Sequence, residues 1–262
     1  MYNGLWPEYK DAFTMLNKGK TIAKDSKGRS NRIEGIWEMQ FYQEIDPGTG
    51  VTIACSPRGK TVCDFIVPNR SGDGIWCATA SLYNSFDPAD ARRAHIFPTQ
   101  FKDNAGKIVN YPATPGVTGG KYMMKYNLEG QPLAVWGWSG NQISVIRYPD
   151  ILLIYAEATN ELNGPTAEAY AAINEVRQRA KVADLAGLDK DSFRDAVLQE
   201  RRMEFTFEGR RYFDLLRTDK IITEMAKVGI TVNPSRILLP VPQVELDNNQ
   251  NDTGFTQNPD YN

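Results

Sequence analysis

The sequence predicts a mainly α-helical protein that begins with a long loop-rich region carrying short strands. Residues 1 to about 144 are rich in Gly, Pro, Asn, Ser and aromatic residues and contain only short apolar runs, such as 62–67. From Arg147 onward, apolar residues recur with the spacing of an α-helix. We therefore expect two regions, a loop-rich region at 1–146 and a helical region at 147–262 that ends in an extended tail.

Two antiparallel helices joined by a short turn are expected at the start of the helical region. The first helix ends at the turn residues 163–165, and Thr166 is expected to cap the second. The apolar stripe of the first helix consists of Ile151, Ile154, Tyr155, Ala158 and Leu162. The pair spans 147–180, which is the length of one tetratricopeptide unit. Because one such unit cannot bury its own apolar face, it needs stacking neighbours.

A third helix is predicted at 192–207, opened by a capping box formed by Ser192 and Asp195. A short apolar helix should follow at 212–216. From Asn233 the chain is rich in Pro, Asn and Gln, which predicts an extended tail over the surface.

The charge balance argues against nucleic acid as a partner. Thirty Lys and Arg residues against 32 Asp and Glu give a formal charge of -2, and no basic block occurs.

No run of 18 apolar residues is present, and the first six residues lack the basic and apolar parts of a secretory signal.

The histidine and cysteine content disfavours metal and nucleophile chemistry. Cys55, Cys63 and Cys77 are spaced eight and fourteen apart, and His95 is the only histidine, so we expect no zinc cluster and leave the cysteine pairing open. No nucleophile elbow surrounds His95, and the glycine-rich nucleotide loops and the zinc-protease motif are missing. We expect no catalytic residue, metal or cofactor.

Three glutamates, Glu200, Glu204 and Glu208, recur every four residues and therefore share one face of the third helix. Aligned carboxylates can bind metal, but the di-iron pattern also needs histidines at Glu-x-x-His spacing. Nearby arginines favour ionised, paired carboxylates instead. They are Arg201, Arg202, Arg210 and Arg211. We expect structural ion pairs.

Aromatic residues on Gly-rich loops suggest a carbohydrate site in the first region. A flat ring matches the C–H face of a sugar, while Asn, Asp and Arg can bond its hydroxyls. The candidate ligand-binding residues are Trp76, Asn69, Arg70, Asp73, Tyr83 and Trp138, with Trp136 close to the last. A single tryptophan is more often a core residue, and the alternating run 36–41 predicts that role for Trp37.

Several strings together resemble the SusD/RagB family of surface nutrient-binding lipoproteins. They are RYPDILLIYAEA from 147, AINEVRQRA from 172, ERRMEFTFEGRRYFDLLR from 200, LLPVPQVEL from 238 and TQNPDY from 256. The resemblance is strong after residue 147 and looser before it, where IWEMQF from 36 and NSFDPADARR from 84 carry it. Arg147, Glu157, Glu200, Arg201 and Glu208 are expected to order the scaffold.

The resemblance implies a scaffold of tetratricopeptide-like hairpins, here incomplete, that binds oligosaccharides such as starch-like nutrients without cleaving them. It also implies a place on the outer-membrane surface, held by a lipid anchor that this chain does not contain. There the protein would deliver glycan to a SusC-like TonB-dependent transporter.

Two departures from the family pattern stand out. Members are usually about twice this long, so the chain resembles a C-terminal half. Asp260 stands where the family favours Gly, and a turn that needs positive φ would be strained there.

Two alternatives remain open. One is a glycoside hydrolase, with Asp73 and Asp90 as the nearest loop carboxylates; its two groups would face each other about 5 to 9.5 Å apart. The other is a helical module that binds only protein.

Overall fold

The computed structural model describes residues 2–14, 17, 19–41, 76–97, 100–102, 107–110, 121–122, 125–126, 140–250 and 254–261. The chain divides into two compact units, 1–204 and 205–262. The loops and the first long helices therefore belong to one unit, and the division at residue 146 stays a prediction based on composition. Asn69, Arg70, Asp73, Trp136 and Trp138 lie outside the described residues, as do Cys55, Cys63 and the run 62–67.

Short strands and helices make up the described part of the first region. The described strands form pairs. Strands β1 (Tyr2–Asn3) and β2 (Arg32–Ile33) are parallel. The antiparallel pairs are β3 (Gly35–Met39) with β8 (Ile143–Arg147), β4 (Cys77–Ala78) with β7 (Lys121–Tyr122), and β5 (Gln100–Lys102) with β6 (Ile108–Asn110). A 3-10 helix covers Tyr9–Phe13, and the α-helices are α1 (Ala80–Asn84) and α2 (Ala91–Ile96). This confirms loops with short strands.

The predicted helical hairpin is confirmed as α3 (Tyr148–Asn163) and α4 (Ala167–Arg179). Gly164 ends α3 with φ 78°, a conformation that suits glycine, and its N–H donates to the Asn160 carbonyl. The Thr166 hydroxyl accepts from the Ala169 N–H and caps α4, as predicted.

The third helix, α5 (Lys190–Glu204), begins and ends earlier than the sequence predicts. Asp189, not Ser192, caps it, because the Asp189 carboxylate accepts from the Ser192 N–H at 2.7 Å. The helices α3, α4 and α5 share one apolar core, and the rings of Tyr170 and Phe193 meet edge to face at 4.9 Å. Other fully buried members are Leu153, Ala156, Ile173, Val176 and Val197.

The apolar stripe that predicts α3 is the face that the structure leaves exposed. Leu152, Leu153 and Ala156 lie on the other side of α3 and are buried. The exposed stripe contains Ile151, Ile154, Tyr155, Ala158 and Leu162. Helix α3 is therefore apolar on two faces, in agreement with the expectation that a single hairpin cannot bury its own face.

The core assignment of Trp37 is wrong, because 61% of this residue's surface is exposed. Alternation in a strand predicts two faces, but burial of one of them requires something packed against it. Within the described residues the sheet of β3 and β8 has two strands, and its register shifts on both sides of Trp37. Ile36 and Met39 of the same strand are exposed as well.

The second unit contains three α-helices in its described part. They are α6 (Arg211–Arg217), α7 (Ile221–Ala226) and α8 (Gln243–Asn248), with a 3-10 helix over Pro234–Arg236. Helix α6 includes the predicted 212–216 segment, whereas the tail is not wholly extended because α8 forms within it.

The tail of the second unit is held by hydrogen bonds between segments far apart in sequence. The Gln257 amide accepts from the Val241 N–H at 2.7 Å and donates to the Val241 carbonyl at 2.9 Å. Asp260 adopts φ 64°, which confirms the expected left-handed turn. Its carboxylate accepts from the Ser235 hydroxyl and the Asn233 amide, so polar contacts offset the backbone strain.

Candidate functional site

Of the predicted ligand-binding residues, the structure describes Trp76 and Tyr83. Trp76 directly precedes β4, and 45% of this residue's surface is exposed. Thr79 then caps α1 by accepting from the Leu82 N–H, and Tyr83 lies on this helix. The two aromatic residues are thus held by consecutive elements with only a short connection between them.

The Tyr83 ring is packed rather than open. The guanidinium of Arg93, on α2, lies 4.4 Å from the centre of the ring, within the range of a cation–π contact. The ring of Phe97 meets Tyr83 edge to face at 5.4 Å, and Phe97 itself is buried. The Tyr83 ring therefore packs against Arg93 and Phe97, while Trp76 is the more exposed of the two aromatic residues.

Helix α1 is tied to the end of α5. The Arg202 guanidinium donates to the Ser81 hydroxyl at 3.3 Å, and the Ser85 hydroxyl lies 3.8 Å from the Met203 sulfur. These contacts hold the segment that follows Trp76 against a long helix.

A network of buried charges is centred on the Glu204 side chain. The Glu204 carboxylate accepts from Arg147, Arg179 and Arg92, and all four side chains are almost fully buried. Burial alone would raise the pKa of Glu204, but these three guanidiniums hold that pKa well below its usual value. Glu204 is therefore ionised at any physiological pH and serves as a structural anion.

The network continues in two directions from Glu204. Arg92 contacts Glu200 at 2.6 Å and forms a two-pronged pair with the Asp90 carboxylate, which also caps α2. Arg147 and Arg179 both reach Glu34, at 3.0 and 3.3 Å. Because Glu34 and Asp90 come from the first region, the network joins the loops to the helices.

The backbone carbonyl of Glu204 is also saturated. It accepts from the Tyr9 hydroxyl at 2.9 Å, from Arg147 at 2.8 Å and from the Lys125 ammonium at 3.2 Å. The last carbonyls of a helix lack partners within the helix and carry the negative end of its dipole. Two cations and a hydroxyl at this position stabilise the end of α5.

The predicted structural pairing of Glu200 and Glu204 is confirmed, but with other partners than the adjacent arginines. Arg201 pairs with Asp150 at 2.8 Å, and Glu200 pairs with Arg177 as well as Arg92. The scaffold role expected for Arg147, Glu200 and Arg201 is thereby confirmed, whereas that of Glu157 and Glu208 stays a prediction. The sequence reasoning missed Glu34, Arg92 and Arg179; the Asp-x-Arg spacing at 90–92 was the only local signal.

Asp90 does not fit the hydrolase alternative in this geometry. Its carboxylate is buried, and both oxygens accept from Arg92. A general acid or nucleophile must instead face a substrate cleft. Asp73, the other candidate, lies outside the described residues.

His95 also has a structural environment. Burial lowers the pKa of His95 to about 4, so the imidazole is neutral at pH 7. Its Nε2–H donates to the Lys125 carbonyl at 3.0 Å, and its ring lies beside Tyr9 and Phe13. Within the described part of the chain, no group of three or more His, Cys, Asp or Glu could hold a metal ion.

A polar cleft lies beside the β3–β8 sheet. The Glu38 carboxylate accepts from the Gln142 amide at 2.8 Å and from the Ser144 hydroxyl at 3.0 Å, and Trp6 and Asn17 also line the cleft. It has room for roughly one water molecule. The cleft is therefore too small for a sugar ring.

No helix in the described ranges is long and apolar enough to cross a bilayer.

Several known proteins are similar to this chain. The model of the SusD family matches residues 33–261. SusD-like protein P25 of Formosa agariphila is 33% identical over 192 residues, which cover 68% of this chain and 34% of that protein. A SusD superfamily protein of Parabacteroides distasonis superposes with a TM-score of 0.71 at 22% identity, covering 99% of this chain and 54% of that one.

A third similar protein was solved with a glycan. Surface glycan-binding protein A of Bacteroides thetaiotaomicron, in complex with laminarihexaose, superposes with a TM-score of 0.63 at 22% identity. The match covers 98% of this chain and 56% of that protein, so the chain spans between a third and somewhat more than half of these relatives. The family model covers most of the chain and agrees with the fold. The chain belongs to the SusD family.

Proposed function

We propose that this chain provides part of a non-catalytic glycan-binding protein. Membership of the SusD family supports this proposal, as does the laminarihexaose bound to one structural relative. The observation that carries it is the exposed Trp76 ring, held at the start of a segment that is fixed to the scaffold.

Trp76 suits sugar binding because a large apolar ring that stays in water can gain free energy when a ligand covers it. A tryptophan ring can remove much of one sugar face from water, and its indole N–H can bond a hydroxyl. The Arg93 guanidinium on Tyr83 adds a planar donor that can bond two hydroxyls at once. Asn69, Arg70, Asp73 and Trp138 complete the proposed ligand set.

The buried network keeps this surface in place. Asp90 and Arg92 bind the start of α2 to Glu200 and Glu204, and Arg202 holds α1. A ligand surface that is already ordered loses less conformational entropy when it binds. Capture and release, rather than bond cleavage, is the chemistry that this arrangement favours.

In the cell, the protein would act at the outer-membrane surface as the partner of a SusC-like TonB-dependent transporter. The glycan would be captured by the exposed aromatic surface and then handed to the transporter. This role requires an affinity high enough to hold a glycan and low enough to release it.

Affinity gel electrophoresis against a panel of polysaccharides, laminarin included, tests the proposal. We expect at least one polysaccharide to retard the wild-type chain, with no release of reducing sugar. Trp76→Ala should abolish most of the retardation, whereas Trp37→Ala removes a tryptophan that is even more exposed, on β3, and should leave the retardation unchanged. Retardation by none of the glycans, or equal loss in both variants, would refute the proposed site.

A further inference from the structure

Arg93, on α2, is a cation that the structure leaves without a charged partner. Its guanidinium carbon lies 4.4 Å from the centre of the Tyr83 ring. In the described part of the chain, no carboxylate or carbonyl accepts a hydrogen bond from this guanidinium, and the residue is partly exposed. An arginine carries five N–H donors in a planar fork, so these donors remain open to a ligand.

Most other described arginines of the same unit are paired. Arg92, the preceding residue, contacts the carboxylates of Asp90, Glu200 and Glu204. At least one carboxylate also contacts each of Arg29, Arg147, Arg177, Arg179, Arg194 and Arg201. Arg93 differs from them, because its charge is balanced by no anion within the described ranges.

The carboxylates closest to Arg93 in sequence have other partners. Both oxygens of Asp90 accept from Arg92, at 3.0 and 2.8 Å. The exposed Asp87 carboxylate accepts from the Ala89 N–H at 2.7 Å, which fixes it in its own turn. Neither acid pairs with Arg93 in this arrangement, so the guanidinium is open to an anion from outside the chain.

Aromatic packing holds the guanidinium in one position. Arg93 lies over the Tyr83 ring, and Phe97 meets that ring edge to face at 5.4 Å. Phe97 also meets Phe86 at 5.5 Å, and both phenylalanines are buried. A guanidinium that is already ordered loses less entropy when it binds, and its parallel N–H groups match the paired oxygens of a carboxylate or a sulfate.

Arg93 and Trp76 can contact one long ligand. Tyr83, which packs against the guanidinium, comes seven positions after Trp76, and residues 80–83 are helical. The Cα atoms of the two aromatic residues are therefore at most about 19 Å apart, given about 3.6 Å per extended residue and about 1.5 Å per helical residue. A chain of several sugars spans this distance.

We propose that the glycan bound by this protein is acidic, and that Arg93 binds its carboxylate or sulfate groups while Trp76 packs on a sugar ring. This inference rests on the proposed glycan-binding function and adds the chemical class of the ligand to it. A guanidinium bonds an ionised group more strongly than a neutral hydroxyl. The formal charge of -2 disfavours nucleic acid, whose binding relies on many cations at once.

Affinity electrophoresis of the 262-residue chain in two matched pairs of polysaccharides tests the inference. One pair is laminarin and sulfated laminarin, and the other is methyl-esterified pectin and polygalacturonate. The members of a pair share a backbone and differ in charge, so sulfate and carboxylate are tested separately. We expect the wild-type chain to bind at least one acidic member with an affinity about tenfold higher than its neutral partner, because an ion pair replaces a contact with a neutral group.

Matched variants assign this preference to one residue. Arg93→Gln should remove the preference and leave retardation by the neutral member nearly unchanged. Arg93→Lys keeps the charge but loses the planar fork, so it should retain part of the preference. Lys20→Gln is the control, because it removes an exposed cation on a loop of the same unit and should keep the whole preference. Circular dichroism checks that each variant folds.

Three results would overturn this inference and leave the proposed function standing. The first is equal retardation by the acidic and neutral members of both pairs. The second is a preference that Arg93→Gln leaves unchanged. The third is a preference that Lys20→Gln lowers as much as Arg93→Gln does, because the attraction is then to the overall charge. Retardation by no polysaccharide would instead refute glycan binding itself, and this inference with it.

Discussion

Glu204 and Trp76 lie in the same compact unit, yet their surroundings are opposite. Around Glu204, every oxygen of the residue accepts from a cation or a hydroxyl, and the side chain is fully buried. Around Trp76, a large apolar residue remains almost half exposed. The comparison shows that the buried polar groups of this unit pair with one another, while a large apolar residue on its surface stays in contact with water.

The largest effect is expected from Glu204→Gln. The substitution keeps the shape but removes the anion shared by Arg92, Arg147 and Arg179, which are buried. Leaving buried charges without their partner should lower the free energy of unfolding by about 3 to 5 kcal/mol. Urea denaturation followed by circular dichroism measures this change.

Glu168→Gln is the control for that experiment, because Glu168 is exposed in the first turn of α4, where losing its charge should remove only a small favourable contact with the helix dipole. If Glu204→Gln unfolds at the same urea concentration as the control, the network does not hold the unit together. The contrast between the two regions would then lose its basis.

A smaller, pH-dependent effect is expected from His95. This residue contacts Tyr9 and Lys125, which both donate to the Glu204 carbonyl. Its pKa is lowered by burial from 6.5 to about 4, so the unfolded chain binds a proton in this range and the folded chain does not. The contribution of neutral His95 is complete above pH 6.5, and stability should fall as the pH is lowered from about 6.5 to about 4.

Denaturation midpoints measured at several pH values check this expectation. In His95→Gln the decline between pH 6.5 and 4 should be shallower than in the wild type. Parallel curves for the two proteins would show that His95 titrates normally and that this interior admits water.

The smallest effect concerns Asp260, in the second unit. Asp260→Gly relieves a positive φ but loses the hydrogen bonds from Asn233 and Ser235, so the two changes should nearly cancel. Asp260→Ala loses the bonds and keeps the strain. Limited proteolysis should therefore cut the tail faster in the alanine variant than in the glycine variant or the wild type. Equal rates in all three would remove this explanation of the aspartate.

The sequence predicts best what depends on local spacing. Helices α3 and α4, the Thr166 cap and the positive φ at Asp260 all follow from a few neighbouring residues. Helix α5 is recognised as well, but its cap is displaced because Asp189 accepts from the Ser192 N–H and the helix begins earlier, at Lys190.

Contacts between distant residues are what the sequence does not predict. Arg92 and Glu200 are 108 positions apart, and Arg179 and Glu34 are 145 apart, so no spacing indicates these pairs. The core assignment of Trp37 fails for a related reason, since alternation shows that a strand has two faces but not that anything covers one. Of the predicted ligand residues, the exposure of Trp76 is consistent with its proposed role, and the roles themselves stay predictions.

The central claim is that the exposed Trp76 ring binds glycan while the buried charge network keeps the protein folded. Isothermal titration calorimetry with the Trp76→Ala variant tests this claim most directly. The titrant is laminarihexaose or an oligosaccharide fragment of the polysaccharide that retards the wild-type chain most. We expect affinity to fall by about tenfold or more, as the loss of one aromatic contact implies, while the unfolding midpoint stays that of the wild type. Unchanged affinity in a folded Trp76→Ala protein would contradict the account.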